Sequence, residues 1–191
     1  MRKLDQTFHE IYKVDESTDL YMIEVALDNY TDIFSEWDPA PFKRRALDPD
    51  LDHYLEESSE EIPFKYPIEL CLTLPSSMWD EDLESKAREG LANSFIFSRY
   101  LIKKELKKTN VKIAQFVLIG LLFLWFADLY SNLFAQADWR SVLFEGLAIS
   151  GWVFVWEAVS LFVFSNRDLA HRYRTYKRLE NAPVIFRKAK N

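Results

Sequence analysis

Two long apolar stretches dominate the pattern of hydrophobic and polar positions along the chain. They cover residues 113–134 and 142–164, and the polar segment 135–141 separates them. Each stretch has just over twenty residues, and at about 1.5 Å per residue a helix of that length spans a hydrocarbon core of roughly 30 Å. Only a helix can cross lipid as a single segment, because it satisfies its own backbone hydrogen bonds. The pattern therefore predicts a transmembrane helical hairpin.

Basic residues flank this hairpin at its two outer ends. The segment 135–141 holds Arg140 as its only basic residue. Because basic residues next to a span stay on the cytoplasmic side, we expect both termini in the cytoplasm of a bacterial inner membrane and 135–141 outside. The flanking residues are Lys103, Lys104, Lys107, Lys108 and Lys112 before the first stretch, and Arg167, Arg172, Arg174, Lys177 and Arg178 after the second.

Three other segments have the composition of β-strands. Residues 20–28 and 68–74 alternate apolar and polar side chains, which predicts strands buried on one face. Residues 184–186 are a short apolar run of strand-forming type. Because two strands alone are marginal in water, a third strand at 184–186 would bring the C-terminus back onto the same sheet.

Helix signals lie between the strand segments. Asp48 followed by Pro49 is typical of a helix start, with Asp48 as the N-cap. A long amphipathic helix begins at about Asp80 and is free to continue into the first apolar stretch. We expect a joint in it at Thr109 and Asn110.

These elements predict a membrane protein of mixed α+β class. Residues 1–108 form a small cytoplasmic α/β domain with two or three strands, ending in the long helix that leads to the membrane. Residues 109–165 form the transmembrane hairpin. Residues 166–191 form a basic cytoplasmic tail, whose helix and short strand rejoin the soluble domain.

Charge and cysteine content narrow the function classes. Residues 1–98 hold 9 Lys/Arg and 23 Asp/Glu, a net charge of −14, whereas residues 99–191 hold 15 and 7, a net charge of +8. An acidic domain argues against general nucleic-acid binding, which needs a basic surface. Cys71 is the only cysteine, so no intrachain disulfide forms, as suits a reducing cytoplasm.

Signals for an enzyme are poor. His9, His53 and His171 lie in three separate elements, and no zinc-protease, phosphate-loop or nucleophile-elbow motif is present. We therefore expect no catalytic residues, no metal site and no cofactor. Two glutamate pairs on the predicted helix after Pro49 are expected to form a solvated face: Glu56, Glu57, Glu60 and Glu61.

The segment 37–45, WDPAPFKRR, has two interpretations. Aromatic rings beside cations hold nucleotides or phosphates in many proteins, so the segment is a candidate ligand site. Alternatively it is a structural loop whose Trp37 and Phe42 fill the core, while its cations face lipid phosphates or neighbouring acids. The candidate residues are Trp37, Asp38, Phe42, Lys43, Arg44 and Arg45.

Glu157 is the most informative single residue, because it lies inside the second apolar stretch. A charge there costs roughly 2.5–3.5 kcal/mol on insertion scales, so it should face a partner or water. At about 100° per residue it shares one helix face with Gly146, Ser150, Val153 and Ser160. Gly146 and Ser150 have a spacing that lets helices approach closely. This face is either a polar seam lining a cavity or pore in an oligomer, or a helix–helix contact sealed by a protonated Glu157.

Three stretches resemble a group of uncharacterised bacterial two-span membrane proteins. They are FSEWDPAPFKRRALDPDLDHYL at 34–55, LFEGLAISGWVFVWEAVSLFVF at 143–164 and RLENAPVIFR at 178–187. The shared pattern is a D-P-x-P-F segment, an E-G-x-x-I-x-G-W second span and a short x-x-P-V tail. The resemblance implies the two-span architecture. It implies no reaction and assigns no catalytic residue.

The sequence leaves two functions open. The first is a homo-oligomeric, gated ion channel or pore-forming effector whose cytoplasmic domain senses a ligand, such as a nucleotide, or a partner. Two-span effectors of this kind occur in bacterial antiviral defence, which is an analogy. The second is a non-conducting membrane anchor or scaffold that recruits a cytosolic protein.

Overall fold

The computed structural model describes residues 11–133 and 138–189, and within these ranges the side chains outside 130–141. The described residues form two compact units. Unit 1 takes in residues up to Tyr100 and from Arg172 onward, and unit 2 takes in Leu101–His171. The chain is mostly helical with one small sheet.

The sheet in unit 1 has three parallel strands. They are β1 (Tyr21–Ala26), β2 (Ile68–Leu74) and β3 (Val184–Lys188), in the spatial order β1-β2-β3. The third strand predicted near the C-terminus is thus confirmed. In the register Ile23 lies opposite Leu70, and Leu72 lies opposite Phe186.

Strand β2 departs from the predicted one-sided burial. Glu69 and Cys71 are 0% and 1% exposed, as deeply buried as Leu70 on the other face. In β1, Met22 is also buried. Both faces of β2 are buried because it is the central strand of a small parallel sheet, which is covered on both faces.

Helix α1 (Pro49–Glu61) connects β1 to β2. Its predicted N-cap is confirmed, since a carboxylate oxygen of Asp48 accepts hydrogen bonds from the backbone N–H groups of Asp50 and Leu51. This satisfies donors that the first helical turn leaves unpaired.

Helix α2 (Glu81–Leu133) is a single helix of 53 residues. The joint expected at Thr109 and Asn110 is wrong, because both residues are helical. Neither lacks a backbone N–H, and their weak helix propensities are too small to interrupt a helix supported on both sides.

Helices α3 (Asp138–Ser160) and α4 (Asn166–Asn181) follow, joined by a π-helical turn at Leu161–Ser165. In this turn the backbone N–H of Asn166 donates to the carbonyl of Leu161, five residues earlier. The predicted outer segment 135–141 falls partly on residues 134–137, which lie outside the described part of the chain.

In the described part of the chain, two helices are long and apolar enough to cross a membrane. The candidate segments are Glu81–Leu129 and Val142–Asn181, and only 11% of the most apolar window of each is buried. This criterion rests on length and composition alone. Helices α2, α3 and α4 and the π-helical turn all lie in the connection between the paired strands β2 and β3.

Candidate functional site

The contact between α2 and α3 in unit 2 is built on two glycines. A Cβ added to Gly120 would lie 2.7 Å from Val155 Cγ2, and one added to Gly151 would lie 2.8 Å from Leu124 Cγ. Aromatic rings flank this point, with Phe154 packing against Phe116 and Phe123 on α2 at centroid distances of 6.0 and 5.6 Å. The two backbones therefore approach closely at Gly120 and Gly151.

The predicted polar seam lies on a different face of α3. A Cβ added to Gly146 would have no neighbour within 4 Å among the described residues outside its own helical turn, and the Ser150 hydroxyl donates to the Gly146 carbonyl at 2.7 Å. Val153 is 60% exposed, Glu157 is exposed and Ser160 is half-buried. The spacing of Gly146 and Ser150 thus does not serve the contact with α2 in the same chain.

The exposure of Glu157 changes what its two interpretations require. The contact between α2 and α3 provides neither the water that a pore-lining carboxylate needs nor the partner that a contact-sealing carboxylate needs. Both interpretations therefore need water or another molecule against the seam of Gly146, Ser150, Val153, Glu157 and Ser160.

The segment 37–45 is organised by Asp38. Its carboxylate accepts from the backbone N–H of Ala46 at 2.8 Å and of Ala40 at 2.9 Å. These two hydrogen bonds lower the pKa of Asp38, because they favour the charged form. Asp38 therefore has a structural part in closing this loop.

Phe42 anchors the same segment to the core. Its ring stacks on Phe34 at a centroid distance of 5.0 Å, and its carbonyl oxygen lies so close to Gly90 that a Cβ there would overlap it. The guanidinium of Arg45 lies over the Phe42 ring and donates from Nε to the carbonyl of Ala40 at 3.0 Å.

Trp37 does not fill the core, because it is 94% exposed, so this part of the structural-loop interpretation is wrong. Phe42 is half-buried against the core residue Phe34, and the loop closed by Asp38 leaves Trp37 at the surface. Lys43 faces a neighbouring acid, with its Nζ 2.7 Å from Glu89 Oε2. Trp37 and Arg44 remain as exposed side chains of the candidate ligand site.

A polar cluster between α1 and α4 in unit 1 escaped sequence reasoning. The Tyr176 hydroxyl lies 2.9 Å from Asp52 Oδ2 and 3.1 Å from Glu56 Oε2, and Arg172 donates to Glu56 at 2.6 and 3.3 Å. The Glu60 carboxylate accepts from Thr175 at 3.2 Å. The expectation of a solvated glutamate face is therefore wrong for Glu56, which α4 covers, whereas Glu57, Glu60 and Glu61 are exposed.

The electrostatics of this cluster follow from its burial. Desolvation is the largest cause of the raised pKa of Asp52, and the Tyr176 hydroxyl opposes it. The other carboxylate oxygen of Asp52, Oδ1, is buried without a partner among the described residues. Tyr176 is 1% exposed, and burial together with the two carboxylates raises its pKa.

Arg178 joins α4 to the end of α1. Its guanidinium donates to four backbone carbonyls. Desolvation lowers the pKa of Arg178 to about 10. It thus satisfies acceptors that the last turn of α1 and the following loop leave free. The four carbonyls belong to Ser59, Ile62, Pro63 and Tyr66.

A second unpredicted cluster lies on the sheet face that carries Glu69. The Thr18 hydroxyl donates to Glu69 Oε2 at 2.9 Å, while Oε1 is buried without a partner among the described residues. Burial is the main cause of the raised pKa of Glu69. Nearby, Arg187 pairs with Asp15, whose pKa falls to about 2, mainly through hydrogen bonds from Ser17. This cluster holds the loop before β1 against the sheet.

An open groove of about 260 Å³ lies beside β1 and α1. Its polar lining is mainly acidic, with Glu24, Glu57 and Glu61, and the Tyr12 hydroxyl donates to Glu61 at 2.5 Å. An acidic lining repels phosphate groups. Within residues 11–133 and 138–189 no group of three metal-ligating side chains comes together.

No protein-family model, curated protein or solved structure matches this chain. The resemblance to bacterial two-span membrane proteins therefore stays a prediction. In this chain the stretches that carry it have structural parts: Asp38 closes a loop, Gly151 contacts α2, and Pro183 precedes β3.

Proposed function

We propose that α2 and α3 span a bacterial inner membrane and that unit 1 lies in the cytoplasm. The support is the composition and exposure of the two helices in unit 2. Large exposed apolar surfaces on a folded chain mark a membrane or a protein partner. Among the most exposed apolar side chains are Leu118, Trp125, Phe126, Ile149, Trp152, Val153, Trp156, Phe162 and Phe164.

The pairing of β2 with β3 supports the proposed topology. Both strands lie in one sheet, and the two candidate spans lie between them in the chain. An even number of crossings is therefore required, because both ends of the hairpin must reach the same side. The basic residues next to each end support a cytoplasmic location for that side.

The function that fits best is a homo-oligomeric, gated ion channel or pore-forming effector. The observation that carries it is the exposure of Glu157 on a helix of membrane-spanning length. A carboxylate facing lipid is costly, so it must meet water or a protein partner. Two helices enclose no pore, and the seam therefore requires further copies of the chain.

Control by unit 1 has a direct route in this fold. Helix α4 continues from α3 through the π-helical turn and binds α1 through Tyr176, Arg172 and Arg178. A ligand or partner that shifts α1 would act on the second span through α4 and the π-helical turn. Trp37 and Arg44 are the exposed candidates for contact with a nucleotide or other phosphate ligand, and a place in antiviral defence is an extension by analogy.

Cysteine accessibility tests the seam. Val153→Cys lies on the seam, and its matched control Val159→Cys lies about 120° away on the same helix. Native Cys71 is buried and contributes little background. With an impermeant, charged thiol reagent applied to proteoliposomes, we expect Val153→Cys to react at least tenfold faster, although Val159 lies nearer the predicted cytoplasmic end. Equal, slow labelling of both would contradict an aqueous seam.

A non-conducting membrane anchor is the second candidate. The observation that favours it is an exposed apolar patch on the part of α2 in unit 1, where Ile96, Phe97 and Tyr100 are 45%, 60% and 57% exposed. Such a patch outside the spans suits a cytosolic protein partner. Unreactive Val153→Cys together with capture of one cytosolic protein that Phe97→Ser abolishes would favour the anchor.

A further inference from the structure

Among the polar residues of α2, Gln115 lies closest to Glu157 of α3 in position along the axis of the hairpin. Leu124 contacts Gly151 and Gly120 contacts Val155, so positions move toward the start of α2 as they move toward the end of α3. Gln115 lies five residues before Gly120, or about 7.5 Å along α2, and Glu157 lies six residues after Gly151, or about 9 Å along α3. The two residues are thus level to within about one helical turn.

The plane through the two helix axes divides the surface of the hairpin into two flat sides, and the outer edge of each helix is a flank. Both side chains lie on the same flat side but at opposite flanks. At about 100° per residue, Gln115 is about 140° around α2 from Gly120, and Glu157 is about 120° around α3 from Gly151. Measured about each helix axis in its N-to-C direction, the rotations from Gly120 to Gln115 and from Gly151 to Glu157 have the same sign. Because the helices are antiparallel, rotations of the same sign bring the two residues to the same flat side. Both are exposed, so they do not meet within one chain.

We propose that the carboxylate of Glu157 in one copy accepts a hydrogen bond from the amide of Gln115 in a neighbouring copy. The flank of α2 in a second copy of this chain therefore meets the seam at Glu157, and the rest of the seam, including Val153, stays open to water. The inference rests on the proposed function, since it requires hairpins side by side in a membrane.

Complementary polar chemistry supports this pairing. An amide N–H₂ group is a donor, a carboxylate is an acceptor, and each is expensive to leave unpaired in lipid. Placing hairpins in a row brings the Glu157 flank of each against the Gln115 flank of the next. Such head-to-tail contacts use two different surfaces and close into a ring when the rotation allows. The paired residues would then line the same side of the ring.

Crosslinking between variants with one introduced cysteine each tests the contact, since native Cys71 is buried. Gln115→Cys and Glu157→Cys proteins are mixed, reconstituted and treated with a short bifunctional thiol reagent. We expect a crosslinked dimer in the mixture that is at least fivefold more abundant than in either variant alone. Ala114→Cys, at the same level but on the opposite flat side of the hairpin, replaces Gln115→Cys as the matched control and should leave the yield at background.

A reciprocal exchange gives a second readout that does not depend on cysteines. Gln115→Glu places two carboxylates at the contact and should reduce the oligomeric fraction in a mild detergent at least threefold. Gln115→Glu combined with Glu157→Gln restores one donor and one acceptor and should return the fraction to within twofold of the natural protein.

The outcomes separate this inference from the proposed function. An oligomer that forms without the crosslink between positions 115 and 157, or that the exchange fails to restore, overturns the pairing and leaves the oligomer standing. A crosslink as strong from Ala114→Cys as from Gln115→Cys also overturns it. A strictly monomeric natural protein in proteoliposomes overturns both.

Discussion

Gly120 and Gly151 face each other so closely that neither position accommodates a side chain. A Cβ on either residue would lie 3.0 Å from the carbonyl oxygen of the other. Since backbone atoms cannot yield as a flexible side chain does, any substitution must separate α2 from α3. This pair sets the distance between the two apolar helices in unit 2.

Gly151→Ala should therefore destabilise the hairpin by about 1–3 kcal/mol, the usual cost of overpacking. Gly146→Ala is the matched control, because a Cβ there meets open space, and it should be neutral within about 0.5 kcal/mol. Reversible unfolding of the full chain in mixed detergent, followed by circular dichroism, measures both. Equal losses in the two variants would argue against the close approach at Gly151.

Asp52→Asn should stabilise the full chain at neutral pH. The folded pKa of Asp52 lies above its ordinary value, chiefly through desolvation. The contribution of Asp52 to the free energy of unfolding is therefore fully present below about pH 4 and is lost as the pH rises through the pKa of the folded state. Asparagine keeps an acceptor for the Tyr176 hydroxyl and carries no charge.

Thermal denaturation in a mild detergent between pH 5 and pH 8 checks this expectation. The advantage of Asp52→Asn over the natural protein should shrink as the pH falls. The control is Asp50→Asn, which changes the net charge equally at an exposed position. Its difference in stability from the natural protein should not depend on pH in this way. An advantage independent of pH would mean that ionisation of Asp52 carries no cost.

Arg178→Ala should release α4 from α1. Four backbone carbonyls lose their donor, and two of those hydrogen bonds are 2.6 and 2.7 Å long. Removing the charged partner of buried acceptors costs about 2–5 kcal/mol. Exposed Arg174→Ala is the control, with a change near zero. Proteolysis of the loop after α1 should accelerate only in Arg178→Ala, and equal rates would contradict the anchoring role.

Strand β3 should be as protected from exchange as the rest of the sheet. Hydrogen exchange of the full chain should be slow at Ile185, whose strand pairs with β2. Removing residues 182–191 should destabilise the whole of unit 1, because β2 would become an edge strand and Phe186 would leave the core. Removal of 190–191 alone serves as the control. A fast-exchanging Ile185 amide would mean that β3 detaches readily.

The π-helical turn should tolerate the loss of one residue better than the gain of one. A π turn holds one more residue than an α turn, so deleting Val163 allows a regular helix that keeps the faces of α3 and α4 as they are. Inserting Ala after Val163 adds a second extra residue to the turn and rotates α4 by about 100° relative to α3. Thermal denaturation of both variants decides, and a deletion as damaging as the insertion would contradict this account.

Periodicity and composition predicted the elements of this chain well. The two apolar helices, the N-cap at Asp48 and the third strand were all expected from local patterns that need no knowledge of distant residues. Trp37 shows where such patterns stop, because an aromatic residue in a proline-rich loop is equally compatible with burial and with the 94% exposure that it has.

The unpredicted clusters consist of residues far apart in sequence. Tyr176 and Asp52 are 124 positions apart, and Arg187 and Asp15 are 172 apart. The one available signal was compositional, namely arginine and tyrosine on a basic helix facing an acidic one, and it did not specify the pairs. Burial of Glu69 likewise required knowing that β2 is central in the sheet.

The length and apolarity of a segment account for the two apolar helices. Both quantities are set by consecutive residues, and both are what a membrane-spanning helix requires. The partners of Tyr176, Arg178, Gly120 and Gly151 arise only when separate segments meet. These contacts depend on strand order and on the phase of helices that are far apart in sequence, and no local window of sequence contains both.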